Sequence, residues 1–261
     1  MTVATIQPRS ISTTSSTLRT SITGFDKIDL RLIDWQVLPG HELQIHHNGN
    51  QKQKSFLFYV EDQPVYGYVA HYRTNWWNLF ISVPRPGTRH CLLGFNPSKH
   101  KHLINYPAST AIDVLETTVT LQRRLQHIGI QANLRTAAIR KLEVCSDIEV
   151  DSSLEAYWEA LADCRPPSRM KMRRYPNGVT WSNKQAAVKV YGKYTQLMQE
   201  YGAKALEKQM PPENTIRFET AVQTPASVRK KIGNFTLDDT EGLSNAAINW
   251  HVNMGRGLFN G

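Results

Sequence analysis

The stretch VTWSNKQAAVKVYGKYTQL, Val179 to Leu197, decides how the chain is read. Its centre alternates. Ala186, Val188 and Val190 fall on one side of an extended chain, and Ala187, Lys189, Tyr191 and Lys193 on the other, because strand side chains have a period of two. One face is apolar. The other carries a phenol flanked by two ammonium groups. That arrangement suits attack on a phosphodiester, since the cations lower the cost of a phenolate and attract the phosphate. The same pattern also fits a half-buried packing tyrosine whose lysines keep a face wet.

Two further stretches repeat the two-faced pattern. In LEVCSDIEV, Leu142, Val144, Ile148 and Val150 share one face, and Glu143, Cys145, Asp147 and Glu149 the other. In TIRFETAV, Ile216, Phe218 and Val222 oppose Arg217, Glu219 and Ala221. If the three strands are neighbours with polar faces aligned, carboxylates meet a tyrosine and several cations. Oxygen ligands such as Glu143, Asp147 and Glu219 suit a divalent metal, magnesium or manganese. Cross-strand salt bridges on a wet sheet face are the competing reading. SKHKH places His100 and His102 on one side if extended, a spacing that makes His102 a candidate metal ligand, while the interleaved Lys99 and Lys101 fit a basic loop touching phosphate equally well.

The charge is local. The chain has 261 residues, 31 Lys and Arg against 22 Asp and Glu, and a net charge of +9. Residues Arg165 to Lys231 hold 14 of the basic and 4 of the acidic residues, which leaves 17 against 18 elsewhere. An anionic partner is implied, with nucleic acid first among them. Arg169, Lys171, Arg173 and Arg174 would grip phosphates, Lys189 would join them, and Trp181 either stacks on an unpaired base or lies buried under the loop. Three cysteines without metal spacing fit a reducing cytoplasm. No apolar run suggests a signal peptide or a membrane span.

Residues 1–24 read as a flexible Ser/Thr-rich tail, and order begins near Asp26. KIDLRLIDW buries Ile28, Leu30 and Leu32 as a strand, and HHNGNQKQK (46–54) is a polar loop. SFLFYVEDQPVYGYVAHY (55–72) gives two strands, and NWWNLFISVPR (75–85) another. Residues 109–128 turn helical, with Ile112, Leu115, Val119, Leu121 and Leu125 near one face, Ser109 or Thr110 as cap and Gly129 as stop. A second helix follows in 151–164, capped by Asp151 or Ser152, and a third spans roughly 196–209. RPPSRMKMRRYPNG (165–178) reads as a basic loop, and 236–261 as a weakly patterned tail. Hairpins precede the first helix without regular βαβ alternation. The fold class is therefore α+β, a mostly antiparallel sheet backed by helices, with 25–235 as its domain.

NPSKHKHLIN, IRKLEV, VTW with VYGKYTQLMQ, and IRFETAV occur in the order and spacing of a known set of motifs. Through them, over about Asn96 to Lys231, the chain resembles the gene II/X replication initiators of filamentous phages and related plasmids, relatives of rolling-circle initiators. Lys141 and Glu143 stand where that family has Arg and Asp, and its Gly-His-Asn is replaced around His100 and His102. The resemblance implies a Rep-type nicking domain that cuts one strand at a replication origin through a 5′-phosphotyrosyl link and rejoins it, with a divalent metal. It puts Tyr191, and not Tyr175 or Tyr194, at the nucleophile's position, with Lys193 as its companion. Glu143 and Glu219 fall on the acidic positions. It implies DNA, a host helicase and a host polymerase as partners. A non-catalytic DNA-binding protein and a metal-dependent nuclease without a covalent step are the alternatives.

Overall fold

The computed structural model describes residues 19–37, 68–74, 77–83, 91–127, 130–151, 153–164 and 169–259. The polar loop 46–54, the first strand expected in 55–72 and the helix stop at Gly129 lie outside them. The strands are β1 (Arg19–Leu32), β2 (Trp35–Val37), β3 (Tyr68–Thr74), β4 (Trp77–Val83), β5 (Cys91–Phe95), β6 (Ile130–Ala132), β7 (Ala138–Glu149), β8 (Lys171–Tyr175), β9 (Gly178–Ser182), β10 (Ala186–Gly192) and β11 (Thr215–Val222). The helices are α1 (Pro97–His102), α2 (Ala111–His127), α3 (Leu154–Asp163), α4 (Lys193–Tyr201), α5 (Pro225–Lys231) and α6 (Thr240–Phe259).

Nine described strands form one sheet in the order β3-β4-β5-β1-β7-β11-β10-β9-β8. Every neighbouring pair is antiparallel. The expected α+β class is what the structure shows. The three two-faced strands are consecutive: β11 lies between β7 and β10. Their apolar sides enter two core clusters. Leu142, Val144 and Val222 pack with Val114 and Leu121 of α2, Val228 of α5 and Leu243 of α6. Val188, Val190 and Phe218 pack with Trp158 and Leu161 of α3 and Leu258 of α6. Four helices therefore cover the apolar face, and the other face is left to α1, α4 and the polar side chains.

Several expectations need correction. SKHKH is not extended. Asn96 caps α1 by accepting from the Lys99 N–H at 2.8 Å, and Pro97 supplies the first helical φ. Lys193 leaves the strand and opens α4, because Gly192 turns the chain. A Cβ there would meet Asn177 Oδ1 at 2.5 Å, and Asn177 holds both backbone polar groups of Gly192. The basic loop contains an edge strand, β8, hairpinned to β9 through Pro176 and Asn177. Gly178 permits that turn, with φ +151 and the Val190 carbonyl 2.1 Å from where a Cβ would sit.

The buried face of α2 also differs from the expected stripe. Ile112 and Val119 are exposed, at 66% and 47%, while Val114, Thr117, Thr118, Leu121 and Leu125 are buried. The Thr117 and Thr118 hydroxyls donate to the carbonyls of Asp113 and Val114, so two polar residues sit on the core side at little cost. Thr110 caps α2 in a reciprocal box with Asp113. Ser153, not Asp151, holds the N-cap position of α3, without a side-chain hydrogen bond; Ser152 lies outside the described residues. β1 begins at Arg19, inside the stretch read as a tail, and 236–261 carries the 20-residue α6.

Candidate active site

Strand register assembles the polar face. Lys189 of β10 faces Glu219 of β11, which faces Cys145 of β7. Tyr191 faces Arg217, which faces Asp147. Glu143 is one step further along β7, opposite Ala221, and diagonal to Glu219 within side-chain reach. The next strand contributes a residue that alternation conceals. In β1, Phe25 pairs with Val144 and Lys27 with Glu143, so Asp26 is the extra residue of a β-bulge. By parity Asp26 belongs with Ile28 and Leu30 on the greasy side. The bulge turns it to the polar side, where it accepts from Arg217 Nη1 at 2.8 Å.

Asp26, Glu143 and Glu219 are all buried, and each offers an oxygen within 4.8 Å of the others. Lys189 bridges the last two, hydrogen-bonded to Glu219 and 3.6 Å from Glu143. Lys141 donates to Glu143 at 2.6 Å. Burial alone would raise the Glu143 carboxyl, but the Lys189 and Lys141 charges outweigh it and hold it down to about 2. Glu219 goes the other way: burial, then the Asp26 charge, push it up to about 7.

Tyr191 is half-buried, and its hydroxyl donates to Glu219 Oε2 at 3.1 Å. A cleft of about 310 Å³ opens beside it, lined by Lys189, Glu219, Gln196, Thr180 and Tyr175. The flanking cations do not lower the cost of a phenolate here. Burial and the Glu219 charge raise the phenol well above its ordinary value. Lys189 is turned to the carboxylates. Lys193 is fully buried beside the Tyr191 ring, 5.8 Å from its centroid. Burial, reinforced by the Arg217 charge, lowers its amine to about 7.

Other candidate residues fall elsewhere. Asp147 is occupied: both of its oxygens accept from Arg217, at 2.6 and 2.7 Å. His102 sits on α1 near Lys101 and Asp113 of α2, outside the carboxylate cluster, and burial lowers its pKa. Trp181 is fully buried between Val188 and Met172 in the strand pairing, so it cannot stack on a base from there. Its side belongs to the core because it alternates with Thr180, which faces Lys189. Arg169, Lys171, Arg173 and Arg174 are all exposed. Register puts Arg173 in one row with Thr180, Lys189 and Glu219, and Lys171 in the row ending at Glu143. Arg174, opposite Val179, lies on the other face. Sequence reasoning missed Asp26 and the role of Arg217. The only signal for Asp26 was an acidic residue at the start of an otherwise clean strand.

Three carboxylates with no sulfur or imidazole are the donor set of a hard cation. The bridging ammonium of Lys189 shows that positive charge is favoured between Glu143 and Glu219. Such a cluster beside a phenol, under a cleft open to a basic strand, can bind a phosphodiester and present an oxygen nucleophile to it.

No protein-family model matches the chain, and no curated protein matches it in sequence. Among solved structures it is similar to a rolling circle replication initiator protein from Geobacillus stearothermophilus. That likeness covers 84% of this chain and 80% of the other at 11% identity, with a TM-score of 0.35. At that score the function rests on this chain's own residues. Among the described residues no helix is long and apolar enough to cross a membrane.

Proposed function

We propose that the chain is an origin-nicking, strand-joining enzyme of rolling-circle replication. The observation that carries this reading is the Tyr191 hydroxyl, hydrogen-bonded to Glu219 at the edge of the Asp26, Glu143 and Glu219 cluster and open to a cleft. Tyr191 Oη attacks phosphorus at one origin phosphodiester. The O–P bond to tyrosine forms, and the bond from phosphorus to the 3′ oxygen breaks. The phenolic proton passes to Glu219 Oε2, which already accepts it in a hydrogen bond. The departing 3′ oxygen takes a proton from water and becomes a free 3′-OH for a host polymerase, with a host helicase opening the duplex. The joining step reverses the same bonds.

Asp26, Glu143 and Glu219 would hold magnesium or manganese, which when bound would polarise a phosphate oxygen. Lys189, and Lys193 in its protonated form, would place positive charge near Tyr191, where the pentacoordinate phosphorus gains charge. Lys171 and Arg173 continue the same face to the sheet edge and contact backbone phosphates, so the single strand enters across β8 and β9.

The test uses a supercoiled plasmid carrying the replicon that encodes the chain, with manganese. The wild type is expected to relax it and to leave a denaturant-stable protein–DNA adduct. Tyr191→Phe is expected to lose both activities, and Tyr175→Phe to keep them. Wild-type cutting by Tyr191→Phe would overturn the covalent step and leave a metal-dependent nuclease. Binding without cutting by the wild type would leave a binding protein.

A further inference from the structure

Lys193 is the first residue of α4 and has no exposed surface, yet among the described residues no carboxylate is within ion-pair distance of its amine. A side-chain chain takes that place. Lys193 Nζ donates to Gln196 Oε1 at 2.9 Å. Gln196 Nε2 donates to Glu200 Oε2 at 2.7 Å. Lys99 Nζ, arriving from α1, donates to Glu200 Oε1 at 2.5 Å. The spacings of three and four residues put Lys193, Gln196 and Glu200 on one stripe of α4.

The direction of every link is determined by its neighbours. Lys99 can only donate, so it anchors Glu200 as a carboxylate. Burial would raise that carboxyl, but the Lys99 hydrogen bond and charge, with hydrogen bonds from Tyr201 and Gln196, bring it below its ordinary value. A carboxylate only accepts, so it takes the Gln196 NH2 group and leaves the amide oxygen facing Lys193. Lys193 then spends an N–H on a neutral oxygen. We propose that Gln196 and Glu200 are positioning residues, which with Lys99 hold Lys193 Nζ beside Tyr191 without giving it a counter-charge.

The consequence rests on the nicking reading. An amine held by an amide stays free to carry or release a proton near neutral pH, whereas a carboxylate at 196 would lock it as ammonium. The charged and titratable groups of other elements that act on it electrostatically include Arg217 of β11, Asp147 and Cys145 of β7 and Asp26 of β1, with Tyr191 of β10 beside it. Since α1 supplies Lys99, the same chain ties the NPSKHK segment to the nucleophile.

Three full-length variants test the proposal: Gln196→Leu, Glu200→Gln, and the swap Gln196→Glu with Glu200→Gln. The swap keeps the chain but moves its negative charge next to Lys193. The first readout needs no DNA. It is the NMR titration of the Lys193 ε-methylene, assigned by its loss in Lys193→Met. The midpoint is expected near 7 in the wild type. In the swap it should rise by about one pH unit or more.

The second readout is the rate and pH profile of covalent adduct formation on the plasmid with manganese. Gln196→Leu is expected to lower the maximal rate about 10- to 100-fold, as for a displaced active-site group, with KM little changed. Glu200→Gln should fall between it and the wild type. The swap is expected to recover most of the rate with its profile moved to higher pH. Wild-type titration of Lys193 in both Gln196→Leu and the swap would overturn the proposal. So would a wild-type adduct rate and pH profile in all three variants. Absence of any wild-type adduct is a separate result: it defeats the nicking reading, and the catalytic purpose of the chain falls with it.

Discussion

Arg217 is fully buried, and its guanidinium donates through Nε and Nη2 to Asp147 and through Nη1 to Asp26. One cation thus satisfies two buried acids from different strands and keeps Asp26 aimed at the cluster. Removing it leaves both carboxylates buried and unpaired, which costs far more than the pair contributes. Arg217→Met is expected to lower the unfolding free energy by about 3–5 kcal/mol in urea titrations, whereas Arg135→Ala, which breaks an exposed ion pair with Asp238, should change it by less than about 1 kcal/mol. His251 is a second buried group with a measurable signature. Its ring nitrogens bond Ser146 and Thr220 behind the sheet, and burial lowers its pKa to about 4. Between pH 6.5 and 4 the unfolded chain binds a proton that the folded one refuses, so stability falls as pH falls through that window. The loss assigned to His251 is on the order of 3 kcal/mol by pH 4. His251→Gln should flatten that part of the stability–pH curve.

β8 ends the sheet, and all five of its residues are exposed. A long bare edge invites another strand, and lysine and arginine on it discourage pairing. Register puts Lys171 and Arg173 on the face that carries Tyr191, so on the proposed nicking reading the edge would serve as a phosphate rail as well. Because side chains alternate, its residues are not equivalent. Lys171→Ala and Arg173→Ala are expected to weaken binding of a single-stranded oligonucleotide and to reduce the slope of log affinity against log salt by about 0.7 each. Arg174→Ala, on the opposite face, should leave that slope unchanged. Fluorescence anisotropy across a salt series reads both. Equal slopes for all three variants would remove the sheet face as the DNA path.

At the scale of the molecule, the two sides of one sheet divide the labour. The helices on the apolar side supply the burial, and the other side can concentrate charge because the first supports it. α6 is central to that support, since Leu243, Ala247, His251 and Leu258 are all buried. The two leucines alone contribute about 3–6 kcal/mol by area, a large share of the roughly 5–15 kcal/mol of a typical domain. A chain ending at Asp239 is expected to lose cooperative unfolding in denaturant. On the proposed reading, manganese would bind on the opposite face, at Asp26, Glu143 and Glu219. It is expected to raise Tm in the wild type and not in Glu143→Gln with Glu219→Gln, with EDTA reversing the shift. Equal shifts in both proteins would remove the carboxylate cluster as the binding site.

The sequence by itself determined the alternation of β7, β10 and β11, the α+β class and the tyrosine flanked by lysines, because period-two burial and local charge are properties of neighbouring residues. It also held signals that charge and apolar pattern obscured. Asn96-Pro97 announces a helix, and the buried threonines of α2 make its apolar stripe point the wrong way. Glu143 and Glu219 were legible from their strand faces and motif order, but that Asp26 and not Asp147 completes the cluster was decided by tertiary structure alone. A bulge reverses the parity of Asp26, strand order makes β11 the neighbour of both β7 and β10, and Arg217 occupies Asp147 so that it cannot join the cluster. Trp181 and Lys193 were likewise placed by tertiary structure. One is buried by the side of β9 on which it falls. The other leaves its strand because Asn177, from a different hairpin, turns the chain at Gly192. Each of these depends on contacts between segments distant in sequence, and a period counted along one segment carries no information about them.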